Sequence, residues 1–123
     1  CGFATAQAAY DAAVVELFQS LDMLEARLGA QDWLVGDEIT EADWRLFTTL
    51  VRFDAVYVGH FKCNKRQIAD YPALSTYLAR LNKHPGVAET VSIPQIKHHY
   101  YASHTMINPT GIVPQGPELN FLK

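Results

Sequence analysis

The densest concentration of reactive side chains lies toward the C-terminal end, in Ile96-Lys97-His98-His99-Tyr100-Tyr101-Ala102-Ser103-His104. Three imidazoles raise a metal site first. On a helix, however, His98 and His99 project about 100° apart, and His104 is at neither residue's third or fourth neighbour position. No carboxylate lies nearby in sequence to complete a tetrahedral set, so metal binding is not the expected use. Two adjacent phenols beside imidazoles offer different chemistry. Their O–H and N–H groups can donate to a planar, oxygen-bearing ligand while the tyrosine rings supply an apolar wall. A phenol or hydroquinone is such a ligand. Plain packing, one tyrosine inward and one outward, is the competing reading, and the residues alone leave the two level.

A second mixed stretch, Val58-Gly59-His60-Phe61-Lys62-Cys63-Asn64, gathers His, Lys and Cys within four positions. A thiolate at Cys63 activated by His60 or Lys62 would be a nucleophile. Free cysteines are more often buried as small hydrophobes, and the structural reading of Cys63 is favoured. Cys1 and Cys63 form no metal or redox spacing, which suits reduced thiols in a cytoplasmic protein.

Helices must position these groups. Tyr10, Val14, Leu17, Leu21, Leu24 and Leu28 recur at intervals of four and three, predicting a first helix from Thr5 to Leu28 that is stopped by Gly29. Asp11, Glu16, Gln19, Asp22, Glu25 and Arg27 fall on its other faces. Trp33-Leu34-Val35-Gly36-Asp37 reads as a turn, and Thr40 with Asp43 as the capping box of a second helix lasting to about Val56. Ile39 and Trp44 are placed as its hydrophobic staple. Trp44, Phe47, Leu50, Val51 and Phe53 make this helix apolar round most of its circumference and the expected central one. Arg45 and Arg52 on it must snorkel or find carboxylates, for which Asp43 and Asp54 are the local candidates, and structural pairing is favoured over catalysis. Gly59 ends the helix. Asp70-Tyr71-Pro72 opens a third helix buried through Leu74, Tyr77, Leu78 and Leu81, and Pro85-Gly86 closes it. Val87 to Val91 forms a short helix at most. The tail from Ile107, with Pro109, Gly111, Pro114, Gly116 and Pro117, is expected to lie extended. The fold class is all-α, five or six helices in a single domain spanning 1–123.

Composition narrows the partners. A net charge of −3 on 123 residues gives no general attraction for nucleic acid. No apolar run reaches the ~18 residues that would cross a bilayer. Hydrophobic content of 49% supports a packed core without disulfides or a metal. The chain opens on Cys1-Gly2-Phe3 with no preceding cap, as a piece of a longer protein would.

Several stretches taken together resemble one family. These are Cys1-Gly2-Phe3-Ala4, the capped helix through Leu46-Phe47-Thr48-Thr49-Leu50-Val51-Arg52-Phe53-Asp54, His60-Phe61-Lys62-Cys63-Asn64, Gly86-Val87-Ala88-Glu89-Thr90-Val91, His99-Tyr100-Tyr101-Ala102-Ser103-His104 and Ile107-Asn108-Pro109-Thr110-Gly111. The chain is similar over nearly its whole length to the C-terminal half of glutathionyl-hydroquinone reductases, the Xi-class, omega-like glutathione transferases. The resemblance implies a thioredoxin-like N-terminal domain, absent here, that binds glutathione and holds the catalytic cysteine. That cysteine would take the glutathionyl group from a glutathionyl-hydroquinone, release the hydroquinone, and leave a mixed disulfide that a second glutathione resolves. The helical half would supply the aromatic-substrate wall, with Tyr100 or Tyr101 bonding a substrate hydroxyl and His99 or His98 beside it. It would also carry a homodimer interface. Neither Cys1 nor Cys63 inherits the catalytic role, so the fragment alone is expected to be inactive. A non-catalytic docking or dimerisation module, or a transferase of another class with Ser or Tyr at the catalytic position, are the alternatives.

Overall fold

The computed structural model describes residues 1–122. Its four α-helices are α1 (Gln7–Ala30), α2 (Glu41–Arg52), α3 (Pro72–Asn82) and α4 (Ile93–Ser103). Three 3-10 turns, Ile68–Asp70, Ala88–Thr90 and Asn120–Leu122, and a π-helical turn, Phe53–Tyr57, account for the other helical residues. Among the described residues there is no strand. The expected count of five or six helices thus resolves into four, because the extra pieces are too short to be α-helices.

Helix α1 buries Val14, Phe18, Leu21 and Leu28, while Tyr10, Leu17 and Leu24 pack at the edge of the same core. It runs through Gly29 to Ala30, so the glycine does not stop it; the chain turns extended at Gln31 instead. Two of its polar residues bond to α3 and the residue before it, Glu25 half-buried and Asp22 still exposed. The Glu25 carboxylate accepts the backbone N–H groups of Ala73 and Leu74, each at 2.8 Å, and Asp22 accepts the Tyr71 hydroxyl at 3.2 Å. A side chain of α1 therefore satisfies the open N–H groups at the start of α3, where Pro72 occupies the first position.

The turn before α2 uses Gly36 at φ +68°, a left-handed conformation that a side chain would strain. Thr40 and Asp43 then stand as a capping box. The carboxylate half is the tight one: Asp43 Oδ2 accepts the Thr40 N–H at 2.9 Å, whereas the buried Thr40 Oγ1 makes no full hydrogen bond. Asp43 Oδ1 further accepts the Leu34 N–H at 3.0 Å and the Tyr77 hydroxyl at 2.7 Å. One carboxylate thereby joins the turn, α2 and α3. Burial alone would raise its pKa; the Tyr77 hydroxyl and the Thr40 and Leu34 N–H groups outweigh it and hold Asp43 below the ordinary carboxylate range.

The expected pairing of Arg45 and Arg52 with Asp43 and Asp54 does not form. Arg45 pairs with Glu41 one turn back at 2.7 Å, both exposed, and Arg52 donates to the Thr48 carbonyl. Asp54 is committed to the N–H groups of Ile68 and Ala69, and burial pushes its pKa up. Nor is α2 the most buried helix, since Glu41, Arg45, Thr48 and Thr49 are exposed. The most deeply sunk stripe belongs to α3, where Leu74, Tyr77, Leu78 and Leu81 are at most 1% exposed. Burying each such aliphatic residue contributes about 1.5–3 kcal/mol.

Beyond Arg52 the helix widens, the Val58 N–H reaching back to the Phe53 carbonyl at 3.0 Å. This wider turn lets four successive residues, Phe53, Asp54, Ala55 and Val56, all be buried. Phe53 joins the main core, while Ala55 and Val56 join a second cluster with Tyr101 and Leu119. The tail lies over that cluster, pinned by Lys97 Nζ to the Gln115 and Gly116 carbonyls at 2.8 and 3.0 Å and by Asn108 Nδ2 to the Tyr101 carbonyl at 2.8 Å. The expected extended run holds for residues 112–119. Ile107 and Pro109–Thr110 instead lie in turns, closed by the Ile107 N–H on the His104 carbonyl at 3.0 Å and the Gly111 N–H on the Asn108 carbonyl at 3.1 Å. Asn120–Leu122 coils where Leu119, Phe121 and Leu122 gather against the body.

Candidate functional site

Helix α4 is what separates the two adjacent tyrosines. Ser92 caps it, its hydroxyl accepting the Gln95 N–H, and Pro94 sits in its first turn. Lys97 and Tyr101, four residues apart, are buried on one face. Tyr100 and His104, also four apart, lie half-buried on the neighbouring face, and His98 and His99 point outward.

Tyr101 is locked. It packs edge-on against His60 with centroids 4.6 Å apart, and burial pushes its phenol above the usual range. Tyr100 instead stands at the rim of a cluster of rings, with Tyr57, Phe61 and His104 at 5.9, 5.9 and 5.5 Å. Burial, and then the Tyr100 phenol beside it, hold the Tyr57 hydroxyl well above the ordinary phenol range, so Tyr57 remains a hydrogen-bond donor throughout the neutral range. Tyr100 also lines a cavity of about 410 Å³ between α2 and α4, together with Arg52, Ser92, Gln95, Ile96 and His99. A larger cavity of about 680 Å³ lies on the other side of α4 beneath the tail, with His98 and Lys97 in its wall. The structure therefore places Tyr100 and His99 together, and puts His98 and Tyr101 elsewhere.

An imidazole pair joins the ring cluster that sequence spacing did not reveal. His60 Nε2 and His104 Nδ1 are 3.0 Å apart with their rings nearly parallel. His60 is 3% exposed, and its Nδ1 is buried without a partner. Burial, then the charges of His104 and Lys62, hold the His60 pKa below the usual imidazole value. The signal lay in two separate segments, 44 residues apart, so no local pattern could have shown it. Since His60 faces His104, it does not activate Cys63, whose thiol is buried and pushed up in pKa. Among the described residues no three His, Cys, Asp or Glu side chains gather as a metal would need.

Among the described residues, four α-helices without a strand, with α2 opened by a capping box, define the class as an all-helical domain. The family model described as "Glutathione S-transferase, C-terminal domain" matches residues 7–80, and the chain belongs to that family. It is 60% identical over 116 residues to the glutathionyl-hydroquinone reductase PcpF of Sphingobium chlorophenolicum, covering 94% of this chain and 37% of that protein. Identity to the glutathionyl-hydroquinone reductase YqjG of Escherichia coli is 55% over 116 residues, 94% of this chain and 35% of that one. The glutathione-bound structure of YqjG superposes with a TM-score of 0.93 at 54% identity, covering 97% of this chain and 39% of the other. The Xi glutathione transferase of Phanerochaete chrysosporium gives 0.91 at 55% identity, with 94% and 38% covered. The chain thus spans little more than a third of the curated relatives it matches. No helix among the described residues is long and apolar enough to cross a membrane.

Proposed function

We propose that this chain is the substrate-pocket and dimerisation half of a cytoplasmic, glutathione-dependent glutathionyl-hydroquinone reductase. In this reading a thioredoxin-like N-terminal domain of the same protein binds glutathione and carries the reactive cysteine. Two copies pair through their helical halves. The observation that carries the reading is the placement of Tyr100, half-buried at an aromatic rim on a chain so similar to reductases of that name.

Tyr100 is the phenol that donates to a hydroquinone oxygen, stabilising negative charge on it as the hydroquinone leaves. Tyr57 and Phe61 form the wall on which the ring rests, and His99 is the exposed polar neighbour. Tyr101 holds the wall from behind. Glutathione, when bound, supplies the reducing thiol. Among the described residues lining the cavity beside Tyr100, Arg52 is the one Lys or Arg side chain, which suits an aromatic ligand better than a tripeptide with two carboxylates. Recognition of glutathione therefore rests mainly on the other domain.

The division of labour is testable by mixing this chain alone with glutathione and a glutathionyl-hydroquinone. No turnover above the uncatalysed rate is expected, and the protein that includes the upstream domain should turn over. Turnover by the chain alone would overturn the assignment of the reactive sulfur to the other half.

A further inference from the structure

Cys1 and Cys63 are 62 residues apart in sequence, yet their sulfurs are 3.5 Å apart. Both thiols also face the Phe61 carbonyl oxygen, at 4.0 Å from Cys1 and 3.7 Å from Cys63. The juxtaposition is built from two sides. Gly2 lies against the Phe61 ring, where a β-carbon would collide, and the Phe3 ring packs 5.2 Å from Phe61 and 5.3 Å from His104. The Tyr10 hydroxyl donates to the Lys62 carbonyl, tying the start of α1 to the same loop. Lys62 itself adopts φ +59°, the turn that brings Cys63 inward beneath the N-terminal segment. Cys1 is exposed and Cys63 buried.

We propose that Cys1 and Cys63 are a site of reversible intramolecular disulfide formation, closed by exchange with a low-molecular-weight disulfide such as glutathione disulfide. A disulfide needs sulfurs about 2.0 Å apart, so an approach of about 1.5 Å from the observed spacing completes the bond. Accessibility fixes the order of events. The Cys1 thiol loses its proton and its thiolate attacks one sulfur of glutathione disulfide, forming a Cys1–glutathione disulfide and expelling one glutathione thiolate, which takes up a proton. Cys63 then loses its proton and attacks the Cys1 sulfur, expelling the second glutathione as a thiolate that is protonated in turn. Two protein thiols are oxidised to one disulfide, and one glutathione disulfide is reduced to two thiols, with no net change in protons. Burial keeps Cys63 from reacting first with an external disulfide, so the buried sulfur acts only as the resolving one. The cross-link fastens the N-terminal segment to the loop bearing Phe61, whose ring stacks on Tyr57 at 5.3 Å. Oxidation thereby stiffens the aromatic wall next to Tyr100. The inference does not depend on the substrate reading.

The test is to equilibrate the protein at natural length with rising ratios of glutathione disulfide to glutathione, block free thiols with N-ethylmaleimide, and digest with trypsin. Mass spectrometry should find the tryptic peptide that contains Cys1 and ends at Arg27 joined to Cys63-Asn64-Lys65. The linked peptide should exceed the Cys1–glutathione disulfide by about tenfold, as the proximity of the second thiol dictates. Cys63→Ser should trap the Cys1–glutathione disulfide, and Cys1→Ser should leave Cys63 free. Accumulation of that mixed disulfide in the unaltered protein, Cys63 remaining free throughout, or a link only between two copies would each overturn the proposal.

Discussion

The Tyr101 hydroxyl hangs over Gly59 so closely that a β-carbon on the glycine would stand 2.7 Å from its oxygen. This contact is why the two adjacent tyrosines differ: the loop after the π-helical turn closes on one phenol and leaves the other at the rim. Gly59→Ala should therefore destabilise the protein by about 1–3 kcal/mol, the usual range for overpacking. Tyr101→Phe in the same chain removes the clashing oxygen and should restore most of that loss. Urea midpoints of the two single variants and the double variant check this, and strict additivity would contradict it.

Asp43 is the second structural anchor. Asp43→Ala leaves the Leu34 and Thr40 N–H groups and the Tyr77 hydroxyl without their acceptor, and should cost about 3 kcal/mol or more at roughly 1–3 kcal/mol for each orphaned group. Tyr77→Phe should cost about 1 kcal/mol. The pH sign follows from the depressed native pKa. Asp43 contributes stability that is present above the unfolded carboxylate value near 3.8 and lost as pH falls through the lower folded value. Asp43→Asn should flatten that acid limb in denaturation curves between about pH 5 and 2.

The His60–His104 pair predicts a loss of stability nearer neutrality. The folded pKa of His60 lies below the unfolded value of 6.5, so the unfolded chain binds the proton first. Stability is full above 6.5, declines as pH falls below it, and levels off beneath the folded value. A buried imidazolium facing a second imidazole at 3.0 Å is the physical cause. Urea midpoints from pH 8 to about pH 5 should fall for the unaltered chain and change less for His60→Gln. Equal slopes would show that other groups set the dependence.

Much of this was legible in the sequence because it rests on local spacing. The α3 stripe of Leu74, Tyr77, Leu78 and Leu81, the Thr40–Asp43 start of α2 and the Pro72 start of α3 all obey short-range rules. What local pattern could not supply were partners distant in the chain. Glu25 reads as a solvated helix residue and instead satisfies the N–H groups of Ala73 and Leu74. Arg45 and Arg52 were matched to the nearest carboxylates, but Asp43 and Asp54 were already committed to backbone donors on other elements. The Tyr100 or Tyr101 ambiguity has the same origin, since Gly59 decides it from 42 residues away in the numbering.

The most direct test of the account is steady-state turnover of a glutathionyl-hydroquinone by the longer protein carrying Tyr100→Phe, with Tyr101→Phe as the comparison. Loss of one substrate hydrogen bond, about 0.5–1.5 kcal/mol, should lower kcat/KM by up to roughly tenfold in the Tyr100 variant. The Tyr101 variant should keep its turnover. Unchanged kcat/KM in Tyr100→Phe, or a loss confined to Tyr101→Phe, would contradict the assignment of Tyr100 to the substrate.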